Sequence, residues 1–294
     1  MFLNSILVVI TDLAAGLLGH ATFRRHFHLL MSGLVIFGPA LSLWVSPFAI
    51  FAKRTHFLYR MFLQSAWGWT CVFVGSFMFL LTFSVSRSLQ LSLRHLSRLA
   101  VAGGLWQGFR RVLSLLENTT GSCYEVLATP LESKAAGDNG AAQPLLLLRE
   151  GESKAACVNA GMLWRGYEVS EDTFLLCLCC LLLAEETAVF GPYLSLGGPS
   201  GAPLRIIFLF CVVLLGLWIF LLLCLLAYFP QFPTQLLGGA LGCLSWRALY
   251  QGWYRLGPSW YCPGRPGLGL LTTKKDEDGK AERPGQSNDA TAPK

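Results

Sequence analysis

Three stretches of this chain, residues 29–52, 61–85 and 206–229, carry no Asp, Glu, Lys or Arg over 24 or 25 positions each. At about 1.5 Å per residue a helix of that length crosses a roughly 30 Å hydrocarbon core with some tilt. The runs are rich in Leu, Phe, Gly and Trp and show no alternation of polar and apolar residues. A segment in lipid must satisfy its own backbone hydrogen bonds, so helices are expected. Shorter or interrupted apolar stretches follow at 2–21, 99–116, 173–190 and 234–254. The expected fold is therefore all-α: a multi-pass transmembrane helix bundle of six or seven spans. Only 14% of residues are charged, against about 25% in a soluble domain, which excludes an ordinary water-soluble enzyme. The stretch 2–21 contains Asp12 and His20 and lacks a basic leading segment or a small-residue cleavage site. It reads as a span, a signal-anchor or an interfacial helix rather than a removed signal peptide.

Charge divides the chain into regions. Residues 1–116 hold ten Lys or Arg and one acid, Asp12; residues 117–172 carry a net −5; residues 173–294 carry a net +2. Short basic connections favour the cytosol. Arg24, Arg25, Arg87, Arg94 and Arg98 fit that side, and the acidic stretch fits the lumen. Lys53, Arg54 and Arg60 fit poorly, because simple alternation groups them with the acidic loop. The expected organisation is N-terminal spans over 1–116, an acidic luminal loop over 117–172, C-terminal spans over 173–254 and a cytosolic tail over 255–294. The tail is expected to be disordered from about residue 272, and the Ala/Gly-rich stretch 133–143 to be flexible. Residues 145–148, four leucines, read as an interfacial patch. The basic residues lie at helix ends without interleaved aromatics, so no nucleic-acid partner is expected.

Seven of the ten cysteines lie in apolar helices and read as small packing residues. Cys123 and Cys157 alone fall in the acidic loop, where an oxidising lumen favours a disulfide between them. The same loop holds the glycosylation sequon Asn118-Thr119-Thr120. Cys177-Leu178-Cys179-Cys180 lacks a second ligand pair, so no metal site is expected. No P-loop, dinucleotide fingerprint or metalloprotease motif is present, and no cofactor is implied. All five histidines precede residue 96, so nothing beyond it can supply an imidazole base or nucleophile.

Trp164 to Phe190 is the most chemically suggestive stretch. A polar approach with Glu168, Glu171 and Asp172 runs into an apolar helix that then carries Glu185 and Glu186. A carboxylate in hydrocarbon costs about 2.5–3.5 kcal/mol on insertion scales unless it is paired or wet. Adjacent helical residues point about 100° apart, so the two glutamates face different surroundings. They mark either the helix's exit from the membrane or a pairing with an intramembrane arginine, for which Arg247 or Arg110–Arg111 are the candidates.

Several segments together resemble the fat storage-inducing transmembrane protein family, nearest its type 1 branch. They are Val35-Ile36-Phe37-Gly38-Pro39, Ser65-Ala66-Trp67-Gly68-Trp69-Thr70-Cys71, Arg94-His95-Leu96-Ser97-Arg98-Leu99, Thr120-Gly121-Ser122-Cys123-Tyr124, Trp164-Arg165-Gly166-Tyr167, Thr173-Phe174-Leu175-Leu176 through Glu186, and Ala202-Pro203-Leu204-Arg205. The resemblance covers roughly residues 28–254. It implies a six-span endoplasmic-reticulum protein that promotes lipid droplet formation and binds diacylglycerol and triacylglycerol, with Phe174, Leu175 and Leu176 as the family's lipid-binding positions. Some members cleave the diphosphate of fatty acyl-CoA with two luminal histidines. Those two positions fall here on Asp172 and Pro230, and proline has no proton to move. The expectation is a lipid-binding protein; the alternative is an acyl-CoA diphosphatase or lipid phosphate hydrolase working through Asp172. A transporter is a weaker third class, since no broken helices or repeated halves are visible.

Overall fold

The computed structural model describes residues 2–46, 48–127, 145–149, 154–198, 200–256 and 262–270. Nine α-helices and three short strands are assigned among them. In order they are α1 (Phe2–Gly19), α2 (Ala21–Phe37), α3 (Ala66–Ser86), α4 (Leu89–Thr120), β1 (Ser122–Leu127), β2 (Leu145–Arg149), α5 (Lys154–Asn159), β3 (Leu163–Arg165), α6 (Glu171–Thr187), α7 (Phe190–Ser195), α8 (Ala202–Tyr228) and α9 (Phe232–Trp246). Four helical stretches are long and apolar enough to cross a membrane: Ala21–Leu43, Ala66–Val85, Glu171–Ser195 and Ala202–Tyr228. The apolar part of α1 is shorter. Helices α4 and α9 stand where the sequence places its remaining candidate spans. Arg94, Arg98, Arg110 and Arg111 dilute the first, and the second is only 15 residues before a π-helical turn, Arg247–Gly252.

The chain divides into two compact units, Met1–Gly104 with Ser170–Lys294, and Leu105–Val169. In the first unit α6 is the central element, and α1, α2, α3, α8 and α9 all pack against it. Every residue from Thr173 to Ala184 is buried, so this helix is apolar all round. Its start is well specified. The Ser170 hydroxyl caps it by accepting from the Thr173 amide, and Glu171 and Asp172 sit at the positive end of the helix dipole. Helix α9 approaches almost backbone to backbone. A Cβ on Gly238 would lie 2.5 Å from the Ser170 carbonyl oxygen, and one on Gly242 would lie 2.8 Å from that of Phe174. Small residues permit such approach where lipid supplies no hydrophobic drive between helices. On the opposite flank Trp218 of α8, fully buried, donates its indole N–H to the Thr70 hydroxyl of α3 at 3.1 Å.

The second unit adds strands to the all-α expectation. Residues 145–148, which the sequence suggests as an interfacial patch, lie in strand β2, antiparallel to β1 with Tyr124 opposite Leu148; β3 pairs on the other side of β1. A polar connection must still pair its backbone, and a three-stranded ladder does so. Cys123 and Cys157 form a disulfide with Cα atoms 5.9 Å apart, tying β1 to α5. Trp164 lies over Gly121 and donates to the Glu117 carbonyl at 3.4 Å, while Lys154 pairs with the Glu117 carboxylate at 2.9 Å. Asn118 is exposed in the last turn of α4, and the Thr120 hydroxyl of its sequon accepts from the Tyr167 amide at 3.2 Å. The stretch 133–143 and the tail beyond residue 270 lie outside the described residues. Within 262–270, Cys262 and Leu270 are buried, and Arg94 donates to the Cys262 carbonyl at 3.3 Å.

Candidate functional site

Chemistry concentrates at the two ends of α6. At its N-terminal end Asp172 faces a cavity of about 270 Å³ lined by Arg54, Tyr59, Leu63, Gln64, Leu225 and Phe229. The Ser170 amide donates to the Thr234 carbonyl at 3.1 Å, which fixes this end of α6 to the start of α9. The Arg54 guanidinium stands 4.9 Å from the centre of the Phe229 ring, a cation–π contact. Tyr59 is buried and donates its hydroxyl to the Phe51 carbonyl at 2.9 Å. Burial, together with the Cys224 thiol, pushes the Tyr59 phenol up, so it stays protonated and keeps donating.

Sequence reasoning missed the partners that build this end. Gln235, 2% exposed, donates to the Phe229 carbonyl at 2.8 Å and the Leu225 carbonyl at 3.3 Å, and accepts from the Gln231 amide at 3.1 Å. That one side chain satisfies the loose carbonyls where α8 stops before Pro230. Pro230 itself is exposed and does not line the cavity. His56 lies edge-on to Phe51 and Tyr59, and it is not a lining residue either. The cavity thus presents a carboxylate, a guanidinium, an amide and apolar walls, but no imidazole. Among the described residues no group of three or more His, Cys, Asp or Glu is placed to hold a metal ion. Phe174, Leu175 and Leu176 follow Asp172 directly and are 0%, 5% and 0% exposed; they are packed among helices, not set in the cavity wall.

At the other end Glu185 and Glu186 diverge, and each meets an arginine that the sequence reading placed on a basic flank and did not name as a partner. Glu186 takes a two-point ion pair from Arg98 of α4, both contacts at 2.8 Å, and accepts the Tyr250 hydroxyl at 2.8 Å. Arg98 and Glu186 are each 2% exposed. Tyr254 closes the group by donating to the Arg98 carbonyl at 3.4 Å. Glu185 pairs instead with Arg24 of α2 at 3.2 Å, with Arg24 42% exposed. The proposed partners lie elsewhere. Arg247 is exposed and forms no ion pair with the described residues, and Arg110 stacks on the Trp106 ring at 5.0 Å. The reason is placement along α4: Arg98 falls in the half that packs with the first unit, and Arg110 and Arg111 fall in the half beyond Gly104. A planar guanidinium also suits a two-point pairing better than a snorkelling contact.

Apolar helices of membrane-crossing length around a buried helix that is polar at both ends define a multi-pass membrane protein. The sequence profile described as fat storage-inducing transmembrane protein matches residues 47–196. The fat storage-inducing transmembrane protein 1 of Danio rerio is 79% identical over 278 residues, 95% of this chain and 96% of that protein. The Homo sapiens protein of the same name is 45% identical over 261 residues, 89% of this chain and 83% of its own length. A Mus musculus protein named acyl-coenzyme A diphosphatase FITM2 is 29% identical over 267 residues, 89% of this chain and 94% of that one. No solved structure matches the chain. The chain belongs to the fat storage-inducing transmembrane protein family.

Proposed function

We propose that this protein acts in the endoplasmic-reticulum membrane, where it binds diacylglycerol and triacylglycerol and so promotes lipid droplet formation. The observation that carries this reading is the cavity at Asp172, with apolar walls, hydrogen-bonding groups that suit glycerol ester oxygens, and no imidazole. Leu63, Leu225 and Phe229 supply apolar contact; Gln64 and Arg54 supply donors. Phe174, Leu175 and Leu176, packed directly after Asp172 on α6, support the residue that faces the cavity. The names of the relatives, which speak of fat storage, agree with this role.

The test is retention of radiolabelled diacylglycerol and triacylglycerol by detergent-purified protein, run beside an acyl-CoA hydrolysis assay on the same preparation. Binding above that of an unrelated multi-pass protein, without turnover, is the expected result. Failure to retain either lipid sinks the reading. A second reading, acyl-CoA diphosphatase, is favoured by the FITM2 relatives named for that activity. It requires turnover that disappears in Asp172→Ala.

A further inference from the structure

A small crevice lies between α2, α6 and the end of α9, at the Glu185 end of α6. It is lined by Phe23, Phe27, Leu181 and Ala184, with His28 and Trp246 in its wall and Arg24 and Glu185 at its rim. Its free space is about 10 Å³, room for a single oxygen-sized group. Two buried polar atoms there have no hydrogen-bond partner, Trp246 Nε1 and His28 Nδ1. Trp246 is 3% exposed, and the two rings stack with centres 5.6 Å apart and planes 24° from parallel. A buried donor or acceptor left unpaired costs about 1–3 kcal/mol. Two on adjoining rings mark a place built to receive something.

The chemistry of the two atoms says what. An indole N–H only donates. A neutral imidazole carrying its proton on Nε2 accepts at Nδ1. One small group that accepts from the first and donates to the second is a hydroxyl, whether of water or of a lipid. The walls are apolar, and next to them α2 exposes Leu29 and Leu30, 57% and 53% accessible, as a lipid-facing helix would. The hydroxyl is therefore that of an uncharged lipid. Ester oxygens only accept and leave His28 Nδ1 unpaired, which disfavours triacylglycerol. A carboxylate or phosphodiester brings negative charge beside Glu185 and exceeds the space.

We propose that this crevice binds diacylglycerol by its free hydroxyl, Trp246 Nε1–H donating a hydrogen bond to the oxygen and His28 Nδ1 accepting one from the O–H. This rests on the neutral-lipid reading above and adds a second place, at the opposite end of α6, with a preference for one lipid. The Arg24–Glu185 pair forms the polar rim at headgroup level, and the acyl chains lie outside along α2.

The experiment uses the full chain in nanodiscs. Three measurements are made: binding of diacylglycerol, binding of its 3-acetyl ester, and peptide mapping after photolabelling with a diacylglycerol carrying a diazirine near the glycerol. Diacylglycerol is expected to bind roughly tenfold more tightly than the acetyl ester, which is about 1.4 kcal/mol. Labels are expected within residues 23–28, 181–185 or on Trp246. Trp246→Phe and His28→Phe keep an aromatic ring and are each expected to erase that preference. Equal binding of the two lipids by the wild-type protein overturns the proposal without any variant that must fold. So does labelling confined to other residues, in which case the crevice holds only a water molecule and the neutral-lipid reading stands. If no neutral lipid binds at all, the proposed function falls and this inference falls with it.

Discussion

Arg98 and Glu186 are where single residues matter most. Two charges withdrawn from water are tolerable only with close pairing, and here Tyr250 takes part as well. Removing one partner strands the other, at about 3–5 kcal/mol. Arg98→Ala and Glu186→Ala are each expected to lower the thermal unfolding midpoint sharply, read by intrinsic fluorescence in detergent. The double variant Arg98→Met with Glu186→Leu is expected to recover most of that loss, because apolar replacements leave no stranded charge. Arg24→Ala removes a half-exposed partner from Glu185, itself 17% exposed, and is expected to cost clearly less than Arg98→Ala, because both sides of the Arg98 pair are buried. Equal losses for Arg24→Ala and Arg98→Ala would contradict the burial argument. Glu185 and Glu186 were visible in sequence as expensive residues. Their partners were not, because Arg98 lies 88 positions away from Glu186 and looked like one more basic flank.

Among the elements, the α6–α9 contact depends on missing side chains. Gly238 and Gly242 meet backbone atoms of α6, which cannot swing aside as a side chain can. Gly238→Val and Gly242→Val are each expected to destabilise the protein by about 1–3 kcal/mol through overpacking. They should also disturb the Asp172 cavity, whose helix they displace. Gly216 of α8 has nothing within 4 Å of an added Cβ. Gly216→Ala is therefore expected to be neutral or slightly stabilising, since Ala favours the helix. A thermal-shift series that ranks Gly216→Ala with the two α9 variants would refute this assignment. Glycine in an apolar helix reads from sequence only as a weak helix former, and its use as a contact surface appears once the neighbour is known. The strands β1–β3 were hidden for a related reason. Their ladder joins residues up to 43 positions apart, Ser122 with Arg165, with a short strand length on each side.

For the whole molecule, the legible part was what lipid imposes: helices, their rough positions, and polar groups gathered at their ends. The misfit was Arg54, which charge counting alone would send to the cytosol with Arg24 and Arg25. In the structure Arg54 shares the cavity with Asp172 and stacks on Phe229, while Arg24 meets Glu185 at the far end of α6. Helix α6 has 17 residues, about 25 Å, so the two arginines meet opposite ends of it and are expected at opposite faces of the bilayer. The Arg24, Arg25, Arg94 and Arg98 end carries the larger basic excess, and the positive-inside rule leads us to expect it on the cytosolic side. Arg54 is kept beside Asp172 by its contact with the Phe229 ring. Arg25 and Thr55 are exposed near the two ends and serve as reporters. In sealed microsomes a membrane-impermeant maleimide is expected to modify Arg25→Cys at once, and Thr55→Cys only after detergent opens the vesicles. The wild-type chain sets the background, because its free cysteines are buried or half-buried. Labelling in the reverse order would place the Asp172 cavity on the cytosolic face. Immediate labelling of both would mean that α6 does not cross the bilayer.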